Sequence, residues 1–342
     1  MPFPTIRVSA DAALEVCTAA LTRHQATEAD ALIQARQLLE AEIRGHSSHG
    51  LLRLPLLVAR LKRGLIVSGL DPTFTWTGAA LAVDGRAGFG PVVAGRVLDE
   101  LFDRVLTTGV AAAAIRNSHH LGMLAPYVER IAEASFVGVV MTTSEALVHP
   151  WGGRSALIGT NPIGIGVPSA SGAVSLDMST SAISAGKIID HAERGVPLPI
   201  GTAVDASGNP TTDAVAARSG AISPFGGAKG YALGLALEAL VGLLSRTAFG
   251  TDVHGTLDSE HPTSKGDIII VLSPAAFGAD PADPALEAYL DRVRASGVEG
   301  TRIPIPGDRA RAHRARRIAN GIDIDRGSWE RASALAGRGV SA

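Results

Sequence analysis

The sequence predicts an α/β fold, in which short strands alternate with amphipathic helices along most of the chain. Two observations carry this prediction. Residues 80–272 show aliphatic runs separated by helix-length segments, and hydrophobic residues make up 46% of the 342 positions. Aromatic residues contribute only 4%, so the core must be built from Ala, Val, Leu and Ile. This composition is typical of a folded protein and excludes a disordered chain.

The predicted elements begin with helices. Residues 10–23 and 28–43 carry apolar side chains at three- and four-residue spacing, Thr27 is the predicted N-cap of the second helix, and a third helix is predicted from about residue 50 to 62. Strands are then predicted at 80–83, 110–115, 137–142, 164–167, 173–177 and 267–272, with helices at 91–105, 121–134 and about 228–244. The polar segment 247–265 is predicted to be a loop. The Arg- and Ala-rich tail from Asp308 is predicted to be a helix that packs on the N-terminal helices.

Charge and cysteine content exclude several classes of protein. The net charge is −2 and no run of basic residues resembles a nucleic-acid footprint, so we expect no nucleic-acid partner. The single cysteine, Cys17, excludes a disulfide framework and fits a reducing compartment. The N-terminus lacks the apolar segment of a signal peptide, and the longest apolar stretch, 231–244, is shorter than a membrane span and contains Glu238. We therefore expect a cytoplasmic protein without a membrane partner.

The densest group of reactive side chains is the segment RGHSSHG at residues 44–50, followed by Arg53. If a helix begins near Ser48, His49 and Arg53 lie four residues apart on one face. Arg53 can then grip a carboxylate with two N–H groups while His49 exchanges a proton and Ser48 orients the imidazole. Two other interpretations remain open: a pair of serines that only cap a helix beside exposed histidines, or a zinc site at His46 and His49.

Five further motifs contain the glycines, hydroxyls and cations that can approach a ligand. They are NSHHLG at 117–122, PWGG at 150–153, GTNP at 159–162, DMSTS at 177–181 with the following Gly186 and Lys187, and PFGGAKG at 224–230. The first and last precede predicted helices, whose N-terminal N–H groups could receive a phosphate or carboxylate. Each motif taken alone is equally compatible with an ordinary turn or a helix cap.

Two common nucleotide-binding motifs are absent from the sequence. It contains no G-x-G-x-x-G after a predicted strand and no G-x-x-x-x-G-K-[ST]. The glycines of residues 85–90 have the wrong spacing for the first of these motifs. A Rossmann domain is therefore not predicted, which leaves a different nucleotide-binding fold or no nucleotide at all.

Taken in order, RGHSSHG with Arg53, NSHHLG, PWGG, GTNP, DMSTS, GK and PFGGAKG resemble the motifs of the malate/L-lactate (L-sulfolactate-type) dehydrogenase family of NAD(P)-dependent oxidoreductases. The resemblance covers essentially the whole chain. It implies a non-Rossmann NAD(P)-binding and catalytic α/β domain at 76–307, built on a mixed, largely antiparallel sheet, which can include a smaller subdomain. It also implies a helical domain formed by 1–75 and 308–342, and a homodimer.

The resemblance also implies roles for particular residues. His49 is the proton donor or acceptor, assisted by Ser48, with His120 as a second acid/base. Arg53 anchors the substrate carboxylate, and Thr160, Gly186 and Lys187 are substrate contacts. The implied contacts to NAD or NADP are His120, Leu121, Gly122, Met123, Leu124, Met178, Ser179, Thr180, Ala228, Lys229, Arg302, Pro306, Gly307 and Asp308. No metal site is implied.

The reaction implied by the resemblance is hydride transfer between NAD(P)H and C2 of a small 2-oxo or 2-hydroxy carboxylate, such as malate, lactate or sulfolactate. An alternative is reduction of a cyclic imine such as piperideine- or pyrroline-2-carboxylate. Some imine reductases of the family place an acid near the position of Lys187, and its absence here disfavours that alternative. Many members have Arg-Gly where this chain has Ala185-Gly186, which bears on the accepted substrate. A non-catalytic, ligand-binding relative is the third possibility.

Overall fold

The structure is a computed structural model and describes residues 4–338. The helices are α1 (Ala10–Arg23), α2 (Glu28–Arg44), α3 (Leu54–Lys62), α4 (Gly90–Thr108), α5 (Ala125–Glu133), α6 (Ala185–Arg194), α7 (Ala214–Ala217), α8 (Ala228–Ser245), α9 (Pro284–Ala295), α10 (Asp308–Asn320) and α11 (Arg326–Leu335). The strands are β1 (Thr5–Val8), β2 (Thr73–Thr77), β3 (Ala80–Gly88), β4 (Val110–Ser118), β5 (Val137–Thr142), β6 (Ala146–Val148), β7 (Ile158–Gly159), β8 (Ile163–Val167), β9 (Val174–Met178), β10 (Ala203–Val204), β11 (Ala221–Ile222), β12 (Asp267–Leu272) and β13 (Ile322–Asp325). The predicted α/β class is confirmed.

The main sheet has seven strands in the order β2-β3-β4-β12-β5-β8-β9. Only β3 and β4 run parallel, and the other neighbouring pairs are antiparallel. The apolar strand β12 lies at the centre, where Ile269 pairs with Ala113 of β4 and with Val140 of β5. The side chains of β12 are almost all buried because helices cover both faces of the sheet, which explains its continuous aliphatic sequence DIIIVL.

Helices cover both faces of this sheet. On one face, α4 and α5 insert apolar side chains such as Leu98 and Val128 against Ile115, Val140 and Ile269 of the strands. On the other face, α8 packs on the sheet through residues such as Leu237 and Val241. Within residues 4–338, α8 is the one helix whose length and apolar composition would suffice to cross a membrane.

The two ends of the described chain meet in a separate core. Strand β1 pairs antiparallel with β13, with Ile6 opposite Ile324. Helix α1 contacts α11, and α2 contacts α10. The core between these elements contains Cys17, Leu21 and Trp329, which are almost fully buried. The tail therefore packs on the N-terminal helices, although the predicted continuous helix is wrong because Gly321 ends α10 and β13 follows it.

A four-stranded second sheet, ordered β10-β11-β6-β7, lies beside α6 and α7. Its core includes Ile188, Leu198 and Ile222. The sequence analysis did not predict these strands, nor β1, β2 and β13. Strands of two to five residues offer too few alternating positions to be recognised by their hydrophobic pattern.

Two predicted helix starts are wrong. The helix predicted from residue 121 begins at Ala125, because residues 121–124 form an extended loop with Gly122 at φ +79°. The helix predicted from about residue 50 begins at Leu54, with Pro55 in its first turn. Short 3₁₀ turns at Ser47–His49 and Leu51–Arg53 precede it. Both corrections fall on residues that the sequence analysis assigned to the site.

Candidate active site

The buried carboxylate of Glu42 in α2 anchors the segment Ser47–Arg53. Glu42 Oε1 accepts a hydrogen bond of 2.8 Å from the backbone N–H of Leu51. Gly50 lies against the same side chain, so closely that a Cβ at position 50 would stand 2.1 Å from Glu42 Oε1. Burial raises the pKa of Glu42 to about 7. Glu42 thus fixes the backbone that presents Ser48, His49 and Arg53.

Ser48, His49 and Arg53 are linked by short contacts. Ser48 Oγ lies 3.1 Å from His49 Nδ1, and Arg53 Nε donates a 3.0 Å hydrogen bond to the backbone oxygen of Ser48. The predicted shared α-helical face is wrong, since a 3₁₀ conformation brings these groups together. The alternative of a serine cap is also wrong, because among the described residues neither 3₁₀ turn has a side-chain cap and Ser48 contacts the imidazole instead.

His120 completes the group from a distant strand end. Its ring stacks on that of His49, with centroids 5.5 Å apart and an interplanar angle of 27°. The backbone N–H of Gly122 donates a 3.0 Å hydrogen bond to His120 Nδ1. A nitrogen that accepts a hydrogen bond carries no proton, so neutral His120 holds its proton at Nε2.

The neighbouring His119 faces the opposite way. Its Nε2 lies 2.9 Å from the backbone oxygen of Leu65 and close to Arg60 and Thr263. Burial, followed by the charge of Arg60, lowers the pKa of His119 to about 3. Of the two histidines in NSHHLG, the structure therefore brings His120 to His49 and uses His119 in packing.

The two stacked imidazoles are neutral at neutral pH. Burial, the positive charge of Arg53 and then that of His46 lower the pKa of His49 to about 4. Burial, then Arg53 and then His49, hold the pKa of His120 well below its usual value. A carboxylate bound at Arg53 would offset one of these causes and raise both pKa values.

His49, Arg53 and His120 line one cleft. The lining residues are Gln34, Gln37, Leu38, His49, Arg53, Leu56, Leu57, Arg60, His120, Gly122 and Thr256. The sequence analysis missed the glutamines, Arg60 and Thr256. A polar residue on the buried face of an amphipathic helix was the available signal, and Gln34 and Arg60 carry it.

The predicted loop 247–265 covers one side of the cleft. Glu145 Oε1 accepts hydrogen bonds from the backbone N–H groups of Thr256, at 2.7 Å, and Leu257, at 2.9 Å. The backbone oxygen of Thr256 in turn accepts a 3.4 Å hydrogen bond from Arg53 Nη1. Glu145 therefore positions the loop against the guanidinium that faces the cleft.

The stretch 120–124 is fixed by two side chains, Gln37 and Asp177. Gln37 Nε2 donates hydrogen bonds to the backbone oxygens of Leu121, at 3.0 Å, and Met123, at 2.9 Å. Asp177 Oδ2 accepts from the N–H groups of Leu124 and Ala125, both at 2.8 Å. The expectation that this helix start offers unused N–H groups to a phosphate is therefore wrong at these two positions, where a carboxylate of the protein already binds.

The motifs DMSTS, GTNP and PFGGAKG meet around Thr180. Its N–H and its hydroxyl both donate to the backbone oxygen of Thr160, at 2.8 Å and 3.0 Å. Its own backbone oxygen accepts from the N–H of Phe225. Ser179 Oγ lies 2.9 Å from Ser181 Oγ at the end of β9. Met178 is the last residue of β9, a strand whose first residues lie near the C-terminal segment Arg302–Asp308.

Other predicted substrate and cofactor contacts lie next to Ser48 or next to strand β9. Gly186 packs against the 3₁₀ turn Ser47–His49, because a Cβ at position 186 would stand 2.8 Å from Ser48 Cβ. The backbone oxygen of Pro306 accepts from the N–H of Ser175 in β9, and Gly307 packs on the same serine. Asp308 binds Arg311 at 2.7 Å.

Five predicted contacts are exposed and do not line the cleft: Lys187, Ala228, Lys229, Arg302 and Pro306.

The positive charges that act on His46 come from separate parts of the chain. Burial and the cations Lys187, Arg44 and Arg309 lower the pKa of His46, whereas Asp177 raises it.

In the described part of the chain, no group of three or more His, Cys, Asp or Glu side chains is arranged to hold a metal ion. The zinc interpretation of His46 and His49 therefore gains no third ligand.

Comparison with known proteins gives a consistent result. Residues 8–332 match the family model for malate/L-lactate dehydrogenase. The L-sulfolactate dehydrogenase of Methanothermobacter thermautotrophicus is 36% identical over 97% of this chain and 96% of its own length. The Delta(1)-pyrroline-2-carboxylate reductase 2 of Burkholderia multivorans is 33% identical over 98% of each chain. The crystal structure of a dehydrogenase from Sinorhizobium meliloti superposes with a TM-score of 0.94 at 46% identity, covering 97% of this chain and 98% of that one.

Fold, cleft and relatives together define an NAD(P)-dependent oxidoreductase of the 2-hydroxy acid dehydrogenase class. Within this class, the chain belongs to the malate/L-lactate dehydrogenase family, as the resemblance of the seven motifs predicted.

Proposed function

We propose that this enzyme catalyses reversible hydride transfer between NAD(P)H and C2 of a small 2-oxo carboxylate, with His49 as the residue that moves the proton. The observation that carries the proposal is the convergence of His49, Arg53 and His120 in one cleft, with Ser48 in contact with the His49 ring. An alcohol–ketone interconversion needs a proton exchanged at the oxygen while the carboxylate is held, and these four side chains supply both functions.

Arg53 binds the substrate carboxylate in this proposal. Backbone oxygens of Ser48 and Thr256 hold its guanidinium through Nε and Nη1, and the remaining N–H groups of the two terminal nitrogens can grip a carboxylate. His120 donates from Nε2 to the reacting oxygen, because its Nδ1 is engaged by Gly122. His49 holds or releases the proton at Nε2, the nitrogen opposite the contact with Ser48.

The cofactor fits the donors beside this cleft. Hydroxyls at the end of β9, among them Ser179, are suited to ribose and amide groups. Arg309, whose charge acts on His46, is suited to a pyrophosphate. When bound, NAD(P)H supplies the hydride. The stretch His120–Leu124, the segment Met178–Thr180, Ala228 with Lys229, and Arg302 with Pro306–Asp308 are the proposed cofactor contacts, and Thr160, Gly186 and Lys187 the proposed substrate contacts.

We also propose that 76–307 forms a non-Rossmann cofactor-binding domain and that 1–75 with 308–342 forms a helical domain. The mixed sheet, in which only β3 and β4 run parallel, supports the first part. The pairing of β1 with β13 supports the second. A cytoplasmic location fits the single reduced Cys17.

A homodimer is proposed from the surface of α8. The outer side of this helix carries apolar side chains whose exposed fractions reach 71%, at Leu243. The exposed leucines of the helix are Leu233, Leu235, Leu240, Leu243 and Leu244. A contiguous apolar surface of this kind is typical of a protein–protein interface. We propose that a second copy of the chain covers it.

Reduction of a cyclic imine is the second candidate, and the similarity to pyrroline-2-carboxylate reductases favours it. The sequence disfavours it, because Lys187 stands where some imine reductases of the family place an acid.

The deciding experiment supplies a panel of 2-oxo acids and cyclic imines with NADH and with NADPH and follows the loss of nicotinamide absorbance. We expect turnover of a 2-oxo acid. Turnover of imines alone would assign the second candidate. If no substrate is turned over and NAD(P)H does not bind in a fluorescence titration, the chain is a ligand-binding relative instead.

A further inference from the structure

Glu145 is a half-buried carboxylate beside the cleft that the proposed chemistry does not use. It lies directly before β6, and its Oε1 accepts three hydrogen bonds from the loop 247–265. The donors are the N–H of Thr256 at 2.7 Å, the hydroxyl of Thr256 at 3.2 Å and the N–H of Leu257 at 2.9 Å. A single carboxylate oxygen thus fixes two consecutive backbone N–H groups of the loop.

The bond to Leu257 sets the direction of a carbonyl group. The N–H of Leu257 and the C=O of Thr256 belong to one peptide unit, and in a planar trans peptide these two groups point in opposite directions. Because the N–H of this unit is bound to Glu145, the oxygen of Thr256 points away from Glu145. This oxygen accepts a 3.4 Å hydrogen bond from Arg53 Nη1.

Arg53 depends on this oxygen for its orientation. Within residues 4–338, its side chain donates to two backbone oxygens, from Nε to Ser48 at 3.0 Å and from Nη1 to Thr256. Contacts on two different nitrogens fix the plane of a guanidinium, whereas one contact leaves it free to pivot. If the peptide unit turned over, the N–H of Leu257 would face the positive guanidinium and the second contact would be lost.

Glu145 acts on Arg53 through the loop, which suits an arginine that must bind a substrate. A direct ion pair would occupy the N–H groups that grip the substrate carboxylate. Burial lowers the pKa of Arg53, and the negative charge of Glu145 raises it. Two properties of Glu145 can therefore affect Arg53, namely the reach of its oxygen to the loop and its charge.

We infer that Glu145 is a positioning residue for substrate binding, which holds the peptide unit between Thr256 and Leu257 so that the Thr256 carbonyl fixes the Arg53 guanidinium. The inference rests on the proposed role of Arg53 as the carboxylate anchor. It adds a residue that lies outside the seven motifs of the family resemblance. Loss of this hold weakens carboxylate binding and leaves proton transfer at His49 unchanged.

Two conservative variants separate the reach of Glu145 from its charge. Glu145→Asp keeps the charge but shortens the side chain by one methylene, so its oxygens fall short of the loop. Glu145→Gln removes the charge but keeps the length and an acceptor oxygen. In Glu145→Asp we expect KM to rise about 3- to 10-fold, with kcat within about twofold of the wild type. In Glu145→Gln, KM should rise by no more than about twofold.

The matched control is Glu260→Ala. Glu260 belongs to the same loop, and its exposed carboxylate pairs with Arg63. The kinetic constants of this variant should match those of the wild type. Steady-state kinetics can use a 2-oxo acid or a cyclic imine-2-carboxylate, because both present a carboxylate to Arg53.

Three results overturn the inference while leaving the proposed function intact. They are a KM for Glu145→Asp within about twofold of the wild type, a decrease in kcat as large as the increase in KM, and an equal increase in KM for Glu145→Gln and Glu145→Asp. The last of these would show that the charge of Glu145 acts on Arg53 and that its reach does not.

Oxamate, a 2-oxo carboxylate mimic whose amide carbonyl resists hydride, keeps the inference testable without turnover. In the presence of NADH its dissociation constant should rise about 3- to 10-fold in Glu145→Asp alone, and equal binding to all variants contradicts the inference. Failure of oxamate to bind the wild type, together with no turnover of any substrate, overturns both proposals. Should Glu145→Asp not fold, as judged by circular dichroism, the wild type still decides. Bound oxamate should slow hydrogen exchange at the N–H of Leu257 about 3- to 10-fold, because coupling between two sites is reciprocal, and an unchanged rate contradicts the inference.

Discussion

The imidazole rings of His49 and His120 stack 5.5 Å apart, although 71 positions separate the two residues in the sequence. His120 is locked as a donor at Nε2 by the N–H of Gly122, whereas His49 contacts a hydroxyl that can donate or accept. We propose that this difference gives the two residues distinct roles: His49 exchanges the proton and His120 hydrogen-bonds to the reacting oxygen.

His49→Ala should lower kcat by roughly 10²–10⁴ because it removes the acid/base, while NAD(P)H binding measured by fluorescence stays intact. His120→Gln keeps a hydrogen-bond donor at a similar reach, so its kcat should fall by about tenfold or less. If His49→Ala retains activity within a few-fold and His120→Gln does not, the two roles are exchanged.

Arg53→Lys should raise KM by about 10- to 100-fold and change kcat little, because a lysine cannot grip a carboxylate with two parallel N–H groups. Steady-state kinetics with the best substrate of the panel measures this split. Lys62→Arg, at the exposed end of α3, is the matched control and should leave KM unchanged. An unaltered KM in Arg53→Lys would remove Arg53 from the anchoring role.

The pKa of His49 should rise in Arg53→Met, because the charge of Arg53 is one cause of its depression to about 4. Burial is the larger cause and remains, so the new value should stay below the usual 6.5. Titration of the imidazole C–H resonances by NMR measures the change. Arg53 is not among the main causes of the lowered pKa of His46, so His46 should titrate nearly as before.

The pH profile of kcat/KM follows from the same value. Oxidation of the hydroxy acid needs neutral His49, so kcat/KM should be level above about pH 5 and decline as the pH falls through 4. Reduction needs the protonated ring, so its kcat/KM should decrease as the pH rises above 4. A profile for oxidation that declines near pH 6.5 would contradict the depressed pKa.

Gly50→Ala should destabilise the protein by about 1–3 kcal/mol. The new Cβ would stand 2.1 Å from Glu42 Oε1, so either the Glu42 side chain or the segment Ser47–Arg53 must move. Denaturant unfolding measures the free energy, and kcat should fall with it. Gly95→Ala in the middle of α4 is the control, since its nearest neighbour is 3.9 Å away. That variant should gain about 0.5–1 kcal/mol. Equal stability of both alanine variants would show that the protein accommodates a methyl group beside Glu42 without cost.

Replacing both Leu240 and Leu243 with lysine should convert the proposed dimer into monomers, because two charges would be buried in an apolar interface. Sedimentation velocity measures the change in mass. Leu106→Lys is the control, since this exposed leucine of α4 lies outside the proposed interface. A monomeric wild type, or a double variant that remains dimeric, contradicts the assignment of α8 to the interface.

The fold was predictable to the extent that its elements are long. Helices α1, α2, α4 and α8 and the central strand β12 have enough residues for their hydrophobic period to be recognised, and the structure contains all of them. The short strands of the second sheet were not predictable, because pairing with partners such as Val148 and Ile222 stabilises them more than any local preference. Helix starts at Leu54 and Ala125 depend on Pro55 and on the carboxylate of Asp177, and only the first of these is local.

For the site, the sequence by itself determined which chemistry was present. Imidazoles, hydroxyls and a guanidinium lie within residues 44–53, and the order of seven motifs was enough to predict the family. Tertiary structure alone decided which of these groups meet. Gln37 reaches Leu121 across 84 positions, and Asp177 caps α5. The physical reason is that a residue's chemical type is a local property. Its burial, its partner and therefore its pKa are set by residues that only folding brings near.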